Sequence, residues 1–336
     1  MKERQSGVEL LRLVSMAGIL MLHSDAACIG LPQHTSLAEL LGSWSMFSRH
    51  LVEAATVGAT DLFILISGYF GMRFKWRSLL TFIAMALAYS LLTFAVSWIW
   101  WPEGCTAKLF TQSIVIFSPY IRWFILAYAL LLTLSPLINL FLSKVGEQRW
   151  GLVGLAAFAM AMVEWKVIGR YGYDVTHLVI IYLLGRTIRH YRLPERMPKW
   201  LSLGIYVAFT GLVMLSVTWW EYKVAYAMNS PFVLIAAMGL FTFFASLKFR
   251  SRAVNWLAGS AFAVYLTHMS PALWVHYREM VRYLANRFPD SLTFSLALGG
   301  FIAAVFFGSL LFDKFTFQPL WNALLKRFTP KAHKPI

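Results

Sequence analysis

A chain of 336 residues that is 59% hydrophobic and only 13% charged, with a mean hydropathy of +0.63, is too apolar for a water-soluble fold of that length and belongs in a lipid bilayer. The formal charge of +15 does not mark a nucleic-acid binder, because the Lys and Arg fall in short clusters between long apolar runs and form no basic stripe interleaved with aromatics. Cys28 and Cys105 lie outside any CxxC or Cys/His ligand spacing, so neither a metal site nor a disulfide scaffold is expected.

A helix needs about 20 residues to cross the hydrocarbon core. Ten runs are candidates: 8–29, 50–72, 78–101, 122–142, 150–168, 174–190, 200–220, 227–247, 254–276 and 291–313. The first follows a basic N-terminus but contains Arg12 and has no small-residue cleavage site, so it reads as a retained helix. With the N-terminus inside, 20 Lys and Arg fall in cytoplasmic segments and 9 on the other side, the asymmetry expected of ten spans with both termini cytoplasmic. The longest connections, Leu31 to Arg49 and Pro102 to Ile121, lie on the outer side, and chemistry therefore has to sit among the helices. The expected fold is an all-α polytopic bundle of about ten transmembrane helices, one membrane domain over residues 1–336 with no appended soluble domain.

In chain order, the first span presents Arg12 and His23 in LLRLVSMAGILMLH. Eleven residues return to within about 20° of one helical face and separate the groups by roughly 16 Å. Ionisable groups inside a span face the protein interior or a wet cavity and mark function, but Arg12 snorkelling or pairing with Glu9, beside a satisfied interfacial His23, is the structural alternative. The second span, TDLFILISGYFGM, places Asp61 near mid-membrane, with His23 or Arg12 as its available first-span partners. Ser67 and Gly68 follow, suited either to close ligand approach or to helix packing. The cluster RFKWR after this span contains Arg73 and Arg77, able to bind phosphates or simply to anchor topology. The ninth span, SAFAVYLTHMSP, puts Tyr265 and His268 three apart on one face. Two imidazoles on separate helices suit proton transfer, in an enzyme or in a proton-coupled transporter.

Together these segments resemble the acyltransferase-3 family of membrane-bound acyltransferases. Arg12 and His23 match its basic residue, ten intervening positions and histidine. Asp61, Leu62, Phe63, Ser67, Gly68 and Tyr69 match D-L-F-F-x-x-S-G-Y, with Ile64 in place of the second Phe. Arg73 and Arg77 correspond loosely to a following basic pair, RWFILAYALLLTLSPLIN to W-F-L-x-A-L, and AFAVYLTH to a late Y-L-x-H. The resemblance covers essentially the whole chain and is to compact stand-alone members that O-acetylate surface polysaccharides or lipid-linked sugar units such as those of enterobacterial common antigen.

The resemblance implies a multi-pass protein of the bacterial inner membrane that uses acetyl-CoA as donor, with no metal, and a glycan or lipid-linked sugar as acceptor. It implies that Arg12, Arg73 and Arg77 border a cavity and hold the acyl-CoA phosphates, with Ser67 and Gly68 lining the pantetheine or acyl path. It implies His23 as the general base, or as a transient acyl carrier, oriented by Asp61. It implies Tyr265 and His268 as candidates for the acceptor side or for stabilising the oxyanion. Glu164, Arg122, Arg170, His177 and Glu221 lie near outer span ends, where a sugar could meet them. The rival readings are a secondary transporter or flippase, for which no internal repeat is evident, and an assembly subunit of an export complex.

Overall fold

The computed structural model describes residues 5–117, 122–288 and 291–328, so Lys2, Arg4, Lys331 and Lys334 of the charge pattern lie outside the described residues. The helices in chain order are α1 (Ser6–Leu22), α2 (Leu37–Gly42), α3 (Trp44–Thr56), α4 (Ala59–Phe70), α5 (Trp76–Trp100), α6 (Ala107–Ile114), α7 (Trp123–Ser143), α8 (Trp150–Val163) and α9 (Val175–His190). They continue as α10 (Leu193–Arg196), α11 (Lys199–Ser216), α12 (Tyr222–Ala225), α13 (Pro231–Ser246), α14 (Arg252–Ala258), α15 (Ala261–His268), α16 (Pro271–Arg287), α17 (Ser291–Phe312) and α18 (Gln318–Phe328). No strand occurs among the described residues. Single π-helical turns, His23–Ala27, Glu164–Ile168 and Asp313–Phe317, extend α1, α8 and α17.

Seven segments among the described residues are long and apolar enough to cross a membrane: Ser6–Asp25, Trp44–Phe70, Trp76–Trp100, Trp123–Ser143, Glu147–Ile168, Lys199–Ser216 and Leu292–Leu324. The chain is an all-α, multi-pass membrane bundle. The other three expected spans are helical but differ from the reading. α9 and α13 are only 16 residues each. α13 starts where Pro231 occupies the first turn, the position at which its missing N–H does no harm. The ninth span is broken twice. α14 stops before Gly259, where Ser260 turns its hydroxyl to Asp313 Oδ2, and α15 gives way to α16 where Ser270 caps the Leu273 N–H and Pro271 opens the new helix. The second span begins at Trp44, with Ser43 capping the Met46 N–H, and is jointed between α3 and α4. Part of the expected outer loop is α2, closed by a Ser36–Glu39 capping box.

α1 is the hub: it packs against α3, α4, α13, α14, α15 and α17. Accordingly 61% of its apolar window is buried, against 22% for Leu292–Leu324. α4 and α9 cross closely because both are reduced to glycine at the contact: a Cβ on Gly185 would stand 2.7 Å from the Leu65 carbonyl oxygen and 3.0 Å from Gly68 Cα. Apolar side chains gather into two principal clusters, one centred on α4, α7, α8, α9 and α13, the other on α1, α5, α15, α16 and α17. Phe82 and Phe124 pack against both.

Candidate active site

Arg12, Met16, Ile19 and His23 follow one another at four, three and four residues, which makes a single stripe of α1. The stripe lines a cavity of about 860 Å³ that Phe82 and Phe124 also wall. On α4 the same periodicity divides the signature residues between two faces. Thr60, Phe63 and Ser67 face the cavity, whereas Asp61, Leu65 and Gly68 form the neighbouring stripe that meets α9.

At one end of the cavity, Arg12 Nη1 contacts both carboxylate oxygens of Glu9, at 3.2 and 3.1 Å, in an ion pair one turn back along α1. Ser67 donates to the Phe63 carbonyl at 3.1 Å, and Tyr128 lies within reach of both Ser67 and Arg12.

His23 opens the first π turn, a geometry rare in helices and frequent at functional sites. Its Nδ1 lies 3.0 Å from His268 Nε2. His268 is 1% exposed and its Nδ1 is 2.7 Å from the Val264 carbonyl oxygen. A carbonyl only accepts, so His268 Nδ1 carries a proton. In the neutral pair His268 Nε2 is then the acceptor, His23 Nδ1 the donor, and His23 Nε2 the nitrogen with a free lone pair. Two imidazolium rings would set two N–H donors against each other at 3.0 Å, so the pair holds at most one extra proton. Tyr265 lines the cavity beside His268, with ring centroids 6.0 Å apart.

Beyond His23 the cavity acquires polar groups absent from the sequence reading. Glu53, 2% exposed, lines it and accepts a hydrogen bond from the Tyr222 hydroxyl at 2.5 Å, while its Oε2 is buried without a partner. Burial and the carboxylate of Glu53 raise the Tyr222 hydroxyl above the usual tyrosine range and keep it a donor. Asp25 and Arg49, paired at 2.7 Å, lie within electrostatic range of Glu53. Trp123 and Tyr173 meet edge to face with centroids 5.3 Å apart, and the exposed Lys223 completes this end. Glu53 had a signal, being a carboxylate inside an expected span. The Tyr222 and Tyr173 loops had none.

Several expectations are corrected. Asp61 pairs with neither His23 nor Arg12: its Oδ1 is 2.7 Å from His177 Nε2, both side chains wholly buried, because its stripe of α4 turns to α9. Gly68 is the α4–α9 crossing point and does not line the cavity. Arg73 and Arg77 are exposed and do not border it either. Gly71, at φ 76°, ends α4, and the Arg186 guanidinium occupies the space beside it; Met72 stays in the core, while Arg73 and Arg77 are exposed. Of the outer-end residues, His177 belongs to the buried pair, Glu164 is buried, and Arg122, also buried, donates to Ser90 Oγ at 2.7 Å. Arg170 pairs with Asp174 at 3.3 Å, and Glu221 is exposed. Among the described residues no three His, Cys, Asp or Glu side chains gather as a metal site would require.

A family model for an acyltransferase domain matches residues 5–314. No curated protein and no solved structure matches the chain.

Proposed function

The chain belongs to the acyltransferase-3 family and is a membrane acyltransferase, and on that premise we propose that it transfers an acetyl or similarly short acyl group from cytoplasmic acyl-CoA to a sugar hydroxyl of a surface polysaccharide or its lipid-linked precursor. We place it in the bacterial inner membrane with both termini cytoplasmic, as the charge alternation of its loops favours. The observation that carries the reading is one cavity lined by a guanidinium, Arg12, and, about 16 Å further along the same helix face, by an imidazole whose tautomer is fixed.

In this reading the donor enters at the Arg12 end, with the guanidinium toward its phosphates and the acyl chain running past Ser67 and Tyr128. His23 Nε2 takes the proton of the acceptor hydroxyl as its oxygen attacks the thioester carbonyl carbon. The C–O bond forms, the C–S bond breaks, and the leaving thiolate receives the proton from His23, so the enzyme ends unchanged. Tyr265 is the donor offered to the carbonyl oxygen as charge builds there. His268 acts through His23, holding its ring and its proton in the productive arrangement.

The test is transfer of radiolabelled acetyl from acetyl-CoA to saccharide by the purified protein in lipid nanodiscs. Label appearing in ester linkage, and lost in His23→Ala at unchanged protein level, is the expected result. Acetyl-CoA left intact beside every saccharide offered overturns the reading.

A further inference from the structure

The cavity continues past His23 into a pocket that the transfer chemistry does not use, and that pocket has the composition of a binding site. Glu53 lines the cavity; its Oε1 is held by the Tyr222 hydroxyl, and its Oε2 is buried and has no hydrogen-bond partner. A buried acceptor left without a donor is destabilising, so its orientation is explained by a ligand that donates to it. Trp123 and Tyr173 present aromatic surface beside it. The pocket brings the Glu53 carboxyl together with Lys223, so no single ligand charge is favoured throughout.

We propose that this end is the acceptor subsite and that it binds a neutral pyranose, Glu53 Oε2 accepting from a hydroxyl close to the one acylated and Trp123 and Tyr173 covering a C–H face of the ring. This inference rests on the acyl-transfer reading. A pyranose supplies both hydroxyl donors and an apolar face, the combination the pocket asks for. An acyl tail would leave Glu53 Oε2 unsatisfied, and a phosphate would meet a carboxylate. The alternating distribution of Arg12, His23 and Glu53 along the cavity then orders donor, base and acceptor in a line.

The experiment uses full-length protein in nanodiscs, radiolabelled acetyl-CoA, and the methyl pyranosides of glucose, galactose and N-acetylglucosamine as acceptors, with KM measured for each substrate separately. Glu53→Gln keeps an oxygen to accept from Tyr222 and replaces the other carboxyl oxygen with an NH2 donor. The expected result is a saccharide KM raised about 10- to 100-fold with the acetyl-CoA KM moved by less than about twofold. If Glu53→Gln does not accumulate, Tyr222→Phe, which removes only the hydroxyl that orients Glu53, should raise the same KM by about three- to tenfold. A saccharide KM unchanged in whichever variant folds overturns the subsite and leaves the acyl-transfer reading standing. Acetyl-CoA consumed with no saccharide labelled also overturns the subsite, whereas acetyl-CoA not consumed at all overturns the transfer reading and the subsite together.

Discussion

At the scale of single residues, the His23–His268 contact assigns unequal roles to two imidazoles of the same intrinsic chemistry. His23 lines the cavity and has a free nitrogen, and His268 is enclosed and already committed to Val264. His23→Ala should therefore lower acetyl transfer by roughly 100- to 10,000-fold while membrane abundance, read by immunoblot, stays at the wild-type level. His268→Ala should lower it by about tenfold or more and also displace the pH–rate profile, because His23 is then free to adopt either tautomer; an unmoved profile would reduce His268 to a packing residue. The eleven-residue interval between Arg12 and His23 was legible because it is intrahelical, a matter of 100° per residue. The partner of Asp61 was not, since periodicity says which residues share a stripe but not which neighbouring helix that stripe meets. Asp61→Ala leaves a wholly buried histidine without its partner, and a loss of about 1–3 kcal/mol, measured by urea or thermal unfolding in detergent, is expected.

At the scale of elements, α4 performs two tasks on faces about 100° apart. Ser67 belongs to the cavity and its neighbour Gly68 to the α9 crossing. A signature read as one string therefore splits between chemistry and packing. Gly185→Leu would push a side chain into the Leu65 carbonyl and Gly68. Forcing volume into so tight a contact costs about 1–3 kcal/mol, and the Tm of the purified protein should drop without any change in acetyl-CoA KM among molecules that remain folded. The breaks within the expected ninth span were half visible. Ser270-Pro271 is a recognisable helix start, but the interruption at Gly259 depends on Ser260 finding Asp313, 53 residues away, and no local pattern encodes that.

At the scale of the whole molecule, each of the ten hydropathy runs falls on helix, but the short helices α2, α6, α10 and α12 and the helix α18 lie outside them, and span count depended on lengths that Pro231 and the α15–α16 break alter. Charge alternation remains the basis for orientation. Reporter fusions at the two ends should both respond as cytoplasmic, and an external response at either would reverse the direction in which donor and acceptor approach the cavity. That the carboxylate at this cavity would be Glu53 and not Asp61 was beyond sequence reasoning, because it depends on which face of α3 and of α4 the tertiary packing turns inward.

The dense contact of α9 with α4 also has a consequence for how the protein is made. With only 16 residues that include His177, Arg186 and Arg189, α9 is a poor independent client of the insertion machinery, since an arginine costs about 2.5–3.5 kcal/mol at a helix centre and less toward the ends. Its entry into lipid has to be chaperoned by helices already synthesised, α4 offering the Gly68 notch and the Asp61 carboxylate and α8 the opposite wall. Biogenesis is thus coupled across more than a hundred residues of nascent chain. In cells carrying Gly68→Leu, an Ile180→Cys marker should become reactive toward a membrane-impermeant thiol reagent, whereas the same marker in an otherwise unaltered chain stays shielded.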